Sequence, residues 1–141
     1  RNLAGKVELL GWKKQHEVAQ LMREADVFAF PSIRELGAGV VVEAMACGLA
    51  CVVVDYGGPG TLIDHDRGVK VPLSDKATLI RAFGQALEKL VRDPETSVRL
   101  GTAAREHALR YYTWDAKAKK TLAVYEAALG RAPRPTFWDA R

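Results

Sequence analysis

The sequence has no apolar run long enough to span a bilayer and no start typical of a secreted protein. A membrane-spanning helix needs about 20 consecutive apolar residues, and no stretch of these 141 residues reaches that length. The opening stretch, RNLAGKVELLGW, lacks the basic and apolar regions of a signal peptide. We therefore expect a cytoplasmic protein, or one that lies at the inner face of a membrane without crossing it.

Cysteine and histidine are scarce, which argues against two classes of site. Cys47 and Cys51 are separated by three residues, and no further cysteine or histidine lies nearby to complete a zinc set, so both are predicted to be small buried hydrophobic residues. His16, His65 and His107 are dispersed, and none is paired in sequence with a serine or cysteine nucleophile. No metal site is expected.

A concentrated charge of one sign is also missing. Lysine and arginine total 21 against 17 aspartate and glutamate residues, and the net charge of +4 is scattered along the chain. A nucleic-acid interface would gather basic residues on one face, so no nucleic-acid partner is expected. The chain is 48% hydrophobic and 27% charged, the balance of one ordinary folded domain.

Strand and helix patterns alternate through the first half of the chain. Runs rich in branched and aromatic residues predict strands at 6–12, 26–31, 50–56 and 68–73. Helical spacing predicts helices near 15–25 and 39–47, and GGPG at 57–60 predicts a turn. The alternation is typical of parallel strands joined by crossover helices. We predict an α/β fold, a Rossmann-like parallel sheet of about four strands with flanking helices.

The second half of the chain predicts a helical segment that ends the domain. Helices are expected after Ser74, after 92–96 and after 112–114. The last of them carries an apolar stripe formed by Trp114, Ala118, Leu122, Tyr125 and Leu129. Gly130 is expected to end this helix, and residues 131–141 form a tail punctuated by prolines. Phe137 and Trp138 are the tail residues that could order it.

One segment, SIRELGAGVVVEAMACG at 32–48, keeps two carboxylates in apolar surroundings. Such groups are usually exposed, paired or committed to a ligand. The loop that holds Glu35 follows a strand, and ligands of open α/β sheets bind beyond the carboxyl ends of the strands. The backbone amides at the start of the next helix are predicted to form a phosphate-binding site at Gly37, Ala38, Gly39 and Val40. Glu43, one turn inside the helix, could accept two ribose hydroxyls.

Simpler interpretations of this segment stay open on spacing alone. Glu43 could only complement the positive helix end, and the glycines could only form a turn. A dinucleotide-binding domain is disfavoured, because Gly37 and Gly39 are followed by Val42 rather than the third glycine of its motif. A receiver-like signalling module is disfavoured too, because Asp55 has no acidic companion.

The combined motifs resemble those of a known enzyme family. Glu35, seven residues and Glu43, followed by EAMACGLACVVVDYGGPG, are similar to the donor-binding signature of the retaining glycosyltransferases of family four. These enzymes have the two-domain GT-B fold. The similarity begins at KVELLGW, continues through ADVFAFPS and reaches YTW, so it covers about residues 5–130. It implies that 1–130 is a partial C-terminal donor-binding domain of a larger hexosyltransferase.

The resemblance also implies roles for individual residues. Glu43 matches the glutamate that holds the nucleotide ribose, and Glu35 matches the one that faces the transferred sugar, as a positioning and charge-stabilising group. Gly37, Ala38, Gly39 and Val40 match the backbone that contacts sugar hydroxyls and diphosphate. Trp12 and Lys13 match the region that holds the nucleobase. The implied donor is UDP- or GDP-linked, with no cofactor and no bound metal.

Departures from the family pattern limit what these residues can do alone. Leu36, Gly37 and Ala38 replace the usual proline, aromatic and glycine, so a different sugar pocket is expected. Thr61 replaces an acidic residue often found after the glycine turn. The resemblance places the basic residues for the diphosphate and an N-terminal acceptor-binding domain outside this sequence, so the fragment alone is expected to be inactive. The acceptor would be a lipid, a polysaccharide or a small molecule. The alternative is a non-catalytic α/β module that binds a nucleotide or a partner.

Overall fold

The computed structural model describes residues 3–136, in which three parallel strands are covered by helices on both faces. The strands lie in the order β1-β2-β3, with Val27 of β1 beside Ala50 of β2 and Cys51 of β2 beside Gly68 of β3. The elements are α1 Gln15–Glu24, β1 Val27–Phe30, α2 Gly39–Ala46, β2 Ala50–Asp55, α3 Gly57–Leu62, β3 Gly68–Pro72, α4 Lys76–Arg92, α5 Pro94–Tyr111 and α6 Trp114–Ala128. The predicted α/β class is confirmed, but the described residues form three strands rather than about four.

The strand predicted at 6–12 is wrong. Residues 4–6 form a turn, closed by a hydrogen bond from the Lys6 N–H to the Leu3 carbonyl, and the residues up to Trp12 are not extended into the sheet. Leu9 is 94% exposed. A strand is stabilised by pairing with a neighbour, and the three described strands pair only with one another. The apolar pattern of this segment therefore has no partner in the described residues.

The central strand β2 divides the core into two layers. Cys51 and Val53 point into a cluster that includes Met45, while Val52 and Val54 point into a second cluster on the opposite face. Both faces are buried because helices lie on each of them, as the unbroken apolar run of β2 predicts. Further residues of the first cluster are Leu49 and Ile63, and of the second Phe83, Leu90 and Leu100.

The two cysteines differ in environment. Cys51 is fully buried, as expected, and the loss of hydration raises the pKa of its thiol to about 12. Cys47, at the end of α2, is only half-buried, so the prediction of burial is wrong in degree for this residue. Both thiols are free.

The predicted turn at 57–60 is the first part of a short helix, α3. Gly57 begins it with a left-handed backbone (φ 56°), and the Thr61 hydroxyl donates a hydrogen bond to the Gly58 carbonyl at 2.8 Å. Pro59 lies in the first turn, where a missing N–H costs nothing. Glycine and proline therefore shape a helix start here, although their combination is more typical of a turn.

The helical second half is confirmed, with differences in detail. The Asp75 carboxylate accepts hydrogen bonds from the N–H groups at the start of α4, and the Asp93 carboxylate accepts one from the Thr96 N–H at the start of α5. Because Asp93 is the cap, α5 begins at Pro94, earlier than predicted. Gly130 follows the end of α6 with φ 70°, as expected from the sequence.

The apolar stripe of α6 is exposed. Trp114 is 83% exposed, and α6 contains no buried residue. Leu122, Tyr125 and Leu129 are likewise exposed. Phe137 and Trp138 lie outside the described residues. Within 3–136, no helix is both long and apolar enough to cross a membrane.

Candidate functional site

The loop between β1 and α2 lies at the carboxyl edge of the sheet. Strand β1 ends at Phe30, the loop runs through 31–38, and α2 begins at Gly39. Because β1 and β2 are parallel, the start of α3, which follows β2, reaches the same edge. This is the edge at which open α/β sheets bind ligands.

Glu35 is held by the backbone of its own loop. One carboxylate oxygen, Oε1, accepts hydrogen bonds from the N–H groups of Gly37 and Ala38, each at 3.1 Å. The Ala38 bond and then the Gly37 bond lower the pKa of Glu35 from its ordinary value, because both favour the charged form. Two of the four amides predicted to contact a donor therefore face a fixed negative charge in this structure.

Ala38 has a backbone conformation that is unusual for a residue with a side chain. Its φ is 46° and ψ is 43°, and it is the one non-glycine residue with positive φ in the described part of the chain. It is also buried, at 2% exposure. Ala38 occupies the N-cap position of α2, so its strained geometry directs the loop into the helix. Strain of this kind is concentrated at functional sites.

The other two predicted amides open α2. Gly39 is exposed and Val40 is half-buried, and the first N–H groups of a helix have no intrahelical acceptor. The first turn of α2 contains no acidic side chain, so the charge that faces its positive end comes from the preceding loop. The structure thus brings Glu35 and all four predicted backbone positions into one continuous unit.

Glu43 lies on the exposed side of α2, next to the start of α1. Its Oε1 accepts a hydrogen bond from Gln15 Nε2 at 3.4 Å. In the part of the chain that the structure describes, no ion pair involves Glu43, with Arg34 or with any other residue. The carboxylate is therefore open to a ligand. No pattern in the sequence indicates that Gln15 lies beside Glu43.

Trp12 and Lys13 are placed just before α1. Trp12 is 84% exposed and Lys13 is half-buried. Gln15, two residues further on, brings this segment to the side of Glu43. Among residues 3–136, no hydrogen bond joins Trp12 or Lys13 to Glu43 or to the Glu35 loop, so Gln15 is the residue of this segment that the structure places beside Glu43.

Sequence reasoning missed the contribution of the residues that follow β2. Gly57 and Gly58 lie against the backbone of the Glu35 loop. Behind them, Lys70 Nζ lies 3.0 Å from Asp55 Oδ1 and donates to the Gly60 carbonyl at 3.4 Å, which ties α3 to β3. The available signal was the glycine pair directly after a strand, which often marks a close backbone approach.

Residues 1–107 match the model of the protein family called Glycosyl transferases group 1. The chain belongs to this family. The match includes the β1–α2 loop, α2, β2 and α3, and so contains every residue of the candidate site.

Curated relatives agree with this membership. The chain is 33% identical over 113 residues to the alpha-maltose-1-phosphate synthase of Mycolicibacterium smegmatis, covering 78% of this chain and 29% of that protein. It is 34% identical over 130 residues to the D-inositol 3-phosphate glycosyltransferase of Stackebrandtia nassauensis, covering 92% of this chain and 28% of that protein. The chain thus spans less than a third of the length of these relatives.

Two solved structures share the fold. Sucrose-phosphate synthase from Thermosynechococcus elongatus matches with a TM-score of 0.76 and 27% identity, over 92% of this chain and 32% of that chain. The Anabaena protein HepE, solved in complex with UDP and glucose, matches with a TM-score of 0.68 and 23% identity, over 89% of this chain and 33% of that chain. The second likeness concerns the fold alone. The GT-B membership expected from the sequence is confirmed.

Proposed function

We propose that this chain is the donor-binding part of a retaining glycosyltransferase that transfers a hexose from a UDP- or GDP-linked donor to an acceptor hydroxyl. The observation that supports the proposal is the single loop-and-helix unit that carries Glu35, Glu43 and the first amides of α2 along the ligand-binding edge of the sheet. Family membership supports the reaction class.

Each part of this unit suits a different part of a nucleotide-sugar. The exposed Glu43 carboxylate has two oxygens that can accept the two ribose hydroxyls. The amides of Gly39 and Val40, at the positive end of α2, suit the diphosphate. Glu35, kept ionised by its loop, would stabilise the positive charge that develops on the sugar carbon as its bond to the diphosphate breaks.

The remaining partners are assigned by the same proposal. Trp12 and Lys13 would contact the nucleobase, and an N-terminal domain would bind the acceptor. The names of three similar proteins each contain a phosphorylated sugar or polyol. Among lipid, polysaccharide and small-molecule acceptors, these names favour a small phosphorylated molecule.

Replacing Glu43 tests the ribose role. In the two-domain enzyme, Glu43→Ala is expected to weaken donor binding by roughly 1–3 kcal/mol, because it removes hydrogen bonds to a charged acceptor. Glu43→Gln, which keeps the shape but loses one acceptor oxygen, should lie between alanine and wild type. Calorimetry with UDP-hexose and GDP-hexose measures the affinity and identifies the preferred base.

The matched control is Glu88→Ala, which removes an exposed carboxylate paired with Arg92 on α4, away from the loop. It should leave donor affinity unchanged. Unchanged affinity in Glu43→Ala would contradict the ribose role. Donor binding by the wild-type enzyme without any transfer to phosphorylated sugars, lipids or polysaccharides would favour the non-catalytic module instead.

We further propose that the transfer needs no bound metal, and removal of divalent cations tests this. Within 3–136, no group of three histidine, cysteine, aspartate or glutamate residues is arranged to hold a metal ion. We expect donor affinity and turnover to stay within about twofold of their values after treatment with EDTA, because amides and a helix end replace the metal as the partner of the diphosphate. Loss of turnover that returns on addition of Mg²⁺ or Mn²⁺ would contradict this expectation.

A further inference from the structure

The first two residues of α3 press against the backbone of the Glu35 loop. A β-carbon built on Gly57 would lie 2.6 Å from the Glu35 carbonyl oxygen. One built on Gly58 would overlap the Leu36 carbonyl oxygen and lie 2.9 Å from the Leu36 carbonyl carbon. Separations below 3.0 Å essentially do not occur for real β-carbons. Only glycine fits at both positions while the loop keeps its present path.

The tight contact is specific to this side of the loop. β-carbons built on Gly37 and Gly39, within the candidate site, would meet nothing within 4 Å. The loop is therefore crowded from the α3 side and open on the side where a ligand would bind. Gly57 also has a left-handed φ of 56°, which favours glycine independently of the contact.

These contacts act on two peptide units of the loop. A peptide unit is planar, and in the trans form its C=O and N–H point in opposite directions. The described residues contain no cis peptide bond. A carbonyl of Leu36 that faces Gly58 therefore directs the Gly37 N–H away from α3, towards the Glu35 carboxylate that accepts it. In the same way, the Glu35 carbonyl beside Gly57 sets the direction of the Leu36 N–H.

We propose that Gly57 and Gly58 are positioning residues of the candidate donor site, which set the orientation of the two peptide units between Glu35 and Gly37. Through these units they hold the Glu35 carboxylate and the loop amides in one arrangement. The consequence for a ligand rests on the proposed function, whereas the orientation of the loop does not. The Lys70 contacts with Asp55 and Gly60 keep α3 itself in place.

The test uses the 141-residue chain without ligand. Nuclear magnetic resonance follows the Glu35 carboxyl carbon and the amide protons of Gly37 and Ala38 as the pH is lowered. In the wild type, the pKa of Glu35 should lie below its ordinary value, and both amides should titrate with it. In Gly58→Ala, the Leu36 carbonyl must move. The pKa of Glu35 should then rise towards its ordinary value, and the chemical shift of the Gly37 amide proton should no longer change with the ionisation of Glu35.

Two glycine controls separate loop displacement from general loss of stability. Gly101→Ala also places a β-carbon against a backbone carbonyl, that of Gly48, at the far end of α2. It should lower stability but keep the wild-type titration of Glu35. Gly84→Ala meets open space on α4, so it should raise stability through helix propensity alone and keep the wild-type titration of Glu35.

A milder variant covers the case in which Gly58→Ala does not fold. In Gly57→Asn, the new asparagine adopts the left-handed backbone more readily than most other residues do. Its β-carbon must still displace the Glu35 carbonyl. It should show the same rise in the Glu35 pKa. A folded variant of either kind with a wild-type titration would overturn the proposal. Failure of both to fold while Gly101→Ala folds would overturn it too, since the pair would then be a general requirement of the fold.

A second readout links the glycine pair to the proposed function. In the two-domain enzyme, Gly58→Ala should raise the donor KM by about tenfold, because moving the Leu36 carbonyl also displaces the loop that leads to the Gly39 and Val40 amides proposed for the diphosphate. Gly101→Ala should leave the donor KM unchanged in the folded protein. An altered Glu35 titration with an unchanged donor KM would leave the positioning role intact and count against the donor role of the loop.

Discussion

Glu35→Ala in the two-domain enzyme is expected to lower kcat by about 100- to 1,000-fold, the usual effect of removing one preorganised electrostatic group. The nucleotide affinity should change far less, because the proposed contact is to the sugar and not to the ribose or base. A glutamate is already ionised near neutral pH, and the Ala38 and Gly37 amides lower its pKa further, so the charge is present throughout the pH range of such assays. Single-turnover measurements at saturating donor separate the chemical step from binding.

The structure provides a matched variant that separates charge from loop geometry. Both amide hydrogen bonds end on one oxygen, Oε1. Glu35→Gln keeps a carbonyl oxygen that can accept both of them, so it removes the charge and retains the loop. We expect kcat to fall in the glutamine variant nearly as far as in the alanine variant. A glutamine variant with wild-type turnover would assign Glu35 to loop geometry alone and contradict its electrostatic role.

The elements that sequence patterns predicted correctly are those whose pattern and surroundings agree. The apolar run at 50–56 predicts a strand buried on both faces, and β2 has helices on both faces to bury it. The run at 6–12 is also mostly apolar, but it has no neighbouring strand among the described residues. Composition indicates that a segment can form a strand, whereas pairing decides whether it does.

The candidate site was predictable in its acidic residues but not in its supports. Loop and helix patterns alone predicted Glu35 in the loop after β1 and Glu43 inside the next helix, and the structure has both there. The contact of Gln15 with Glu43 depends on how α1 packs against α2, which no local pattern encodes. The glycine pair at 57–58 was visible, but its closeness to the Glu35 loop depends on two connections meeting at one sheet edge.

Gly101 shows the same dependence on tertiary packing at the opposite end of α2. Its β-carbon would overlap the Gly48 carbonyl oxygen and lie 3.3 Å from the Ala50 nitrogen. Two hydrogen bonds fix the backbone on either side of that carbonyl. The Gly48 N–H donates to the Met45 carbonyl, and the Leu49 N–H donates to the Ala44 carbonyl of α2. The Arg105 guanidinium, one turn along α5, holds the same helix end by donating to the Ala46 carbonyl at 3.0 Å.

Gly101→Val is therefore expected to lower the free energy of unfolding by about 3 kcal/mol or more, at or above the upper end of overpacking effects, because the obstacle is backbone. Gly101→Ala should cost less but keep the same sign, although alanine is favoured over glycine inside a helix by about 1 kcal/mol. Urea unfolding of the 141-residue chain measures both.

Gly84→Ala, on the exposed side of α4 with open space around it, shows the propensity gain alone and should raise stability. If Gly101→Ala were stabilised to the same extent as Gly84→Ala, α5 could not lie against the end of α2 as it does here, because the gain in propensity would then be unopposed.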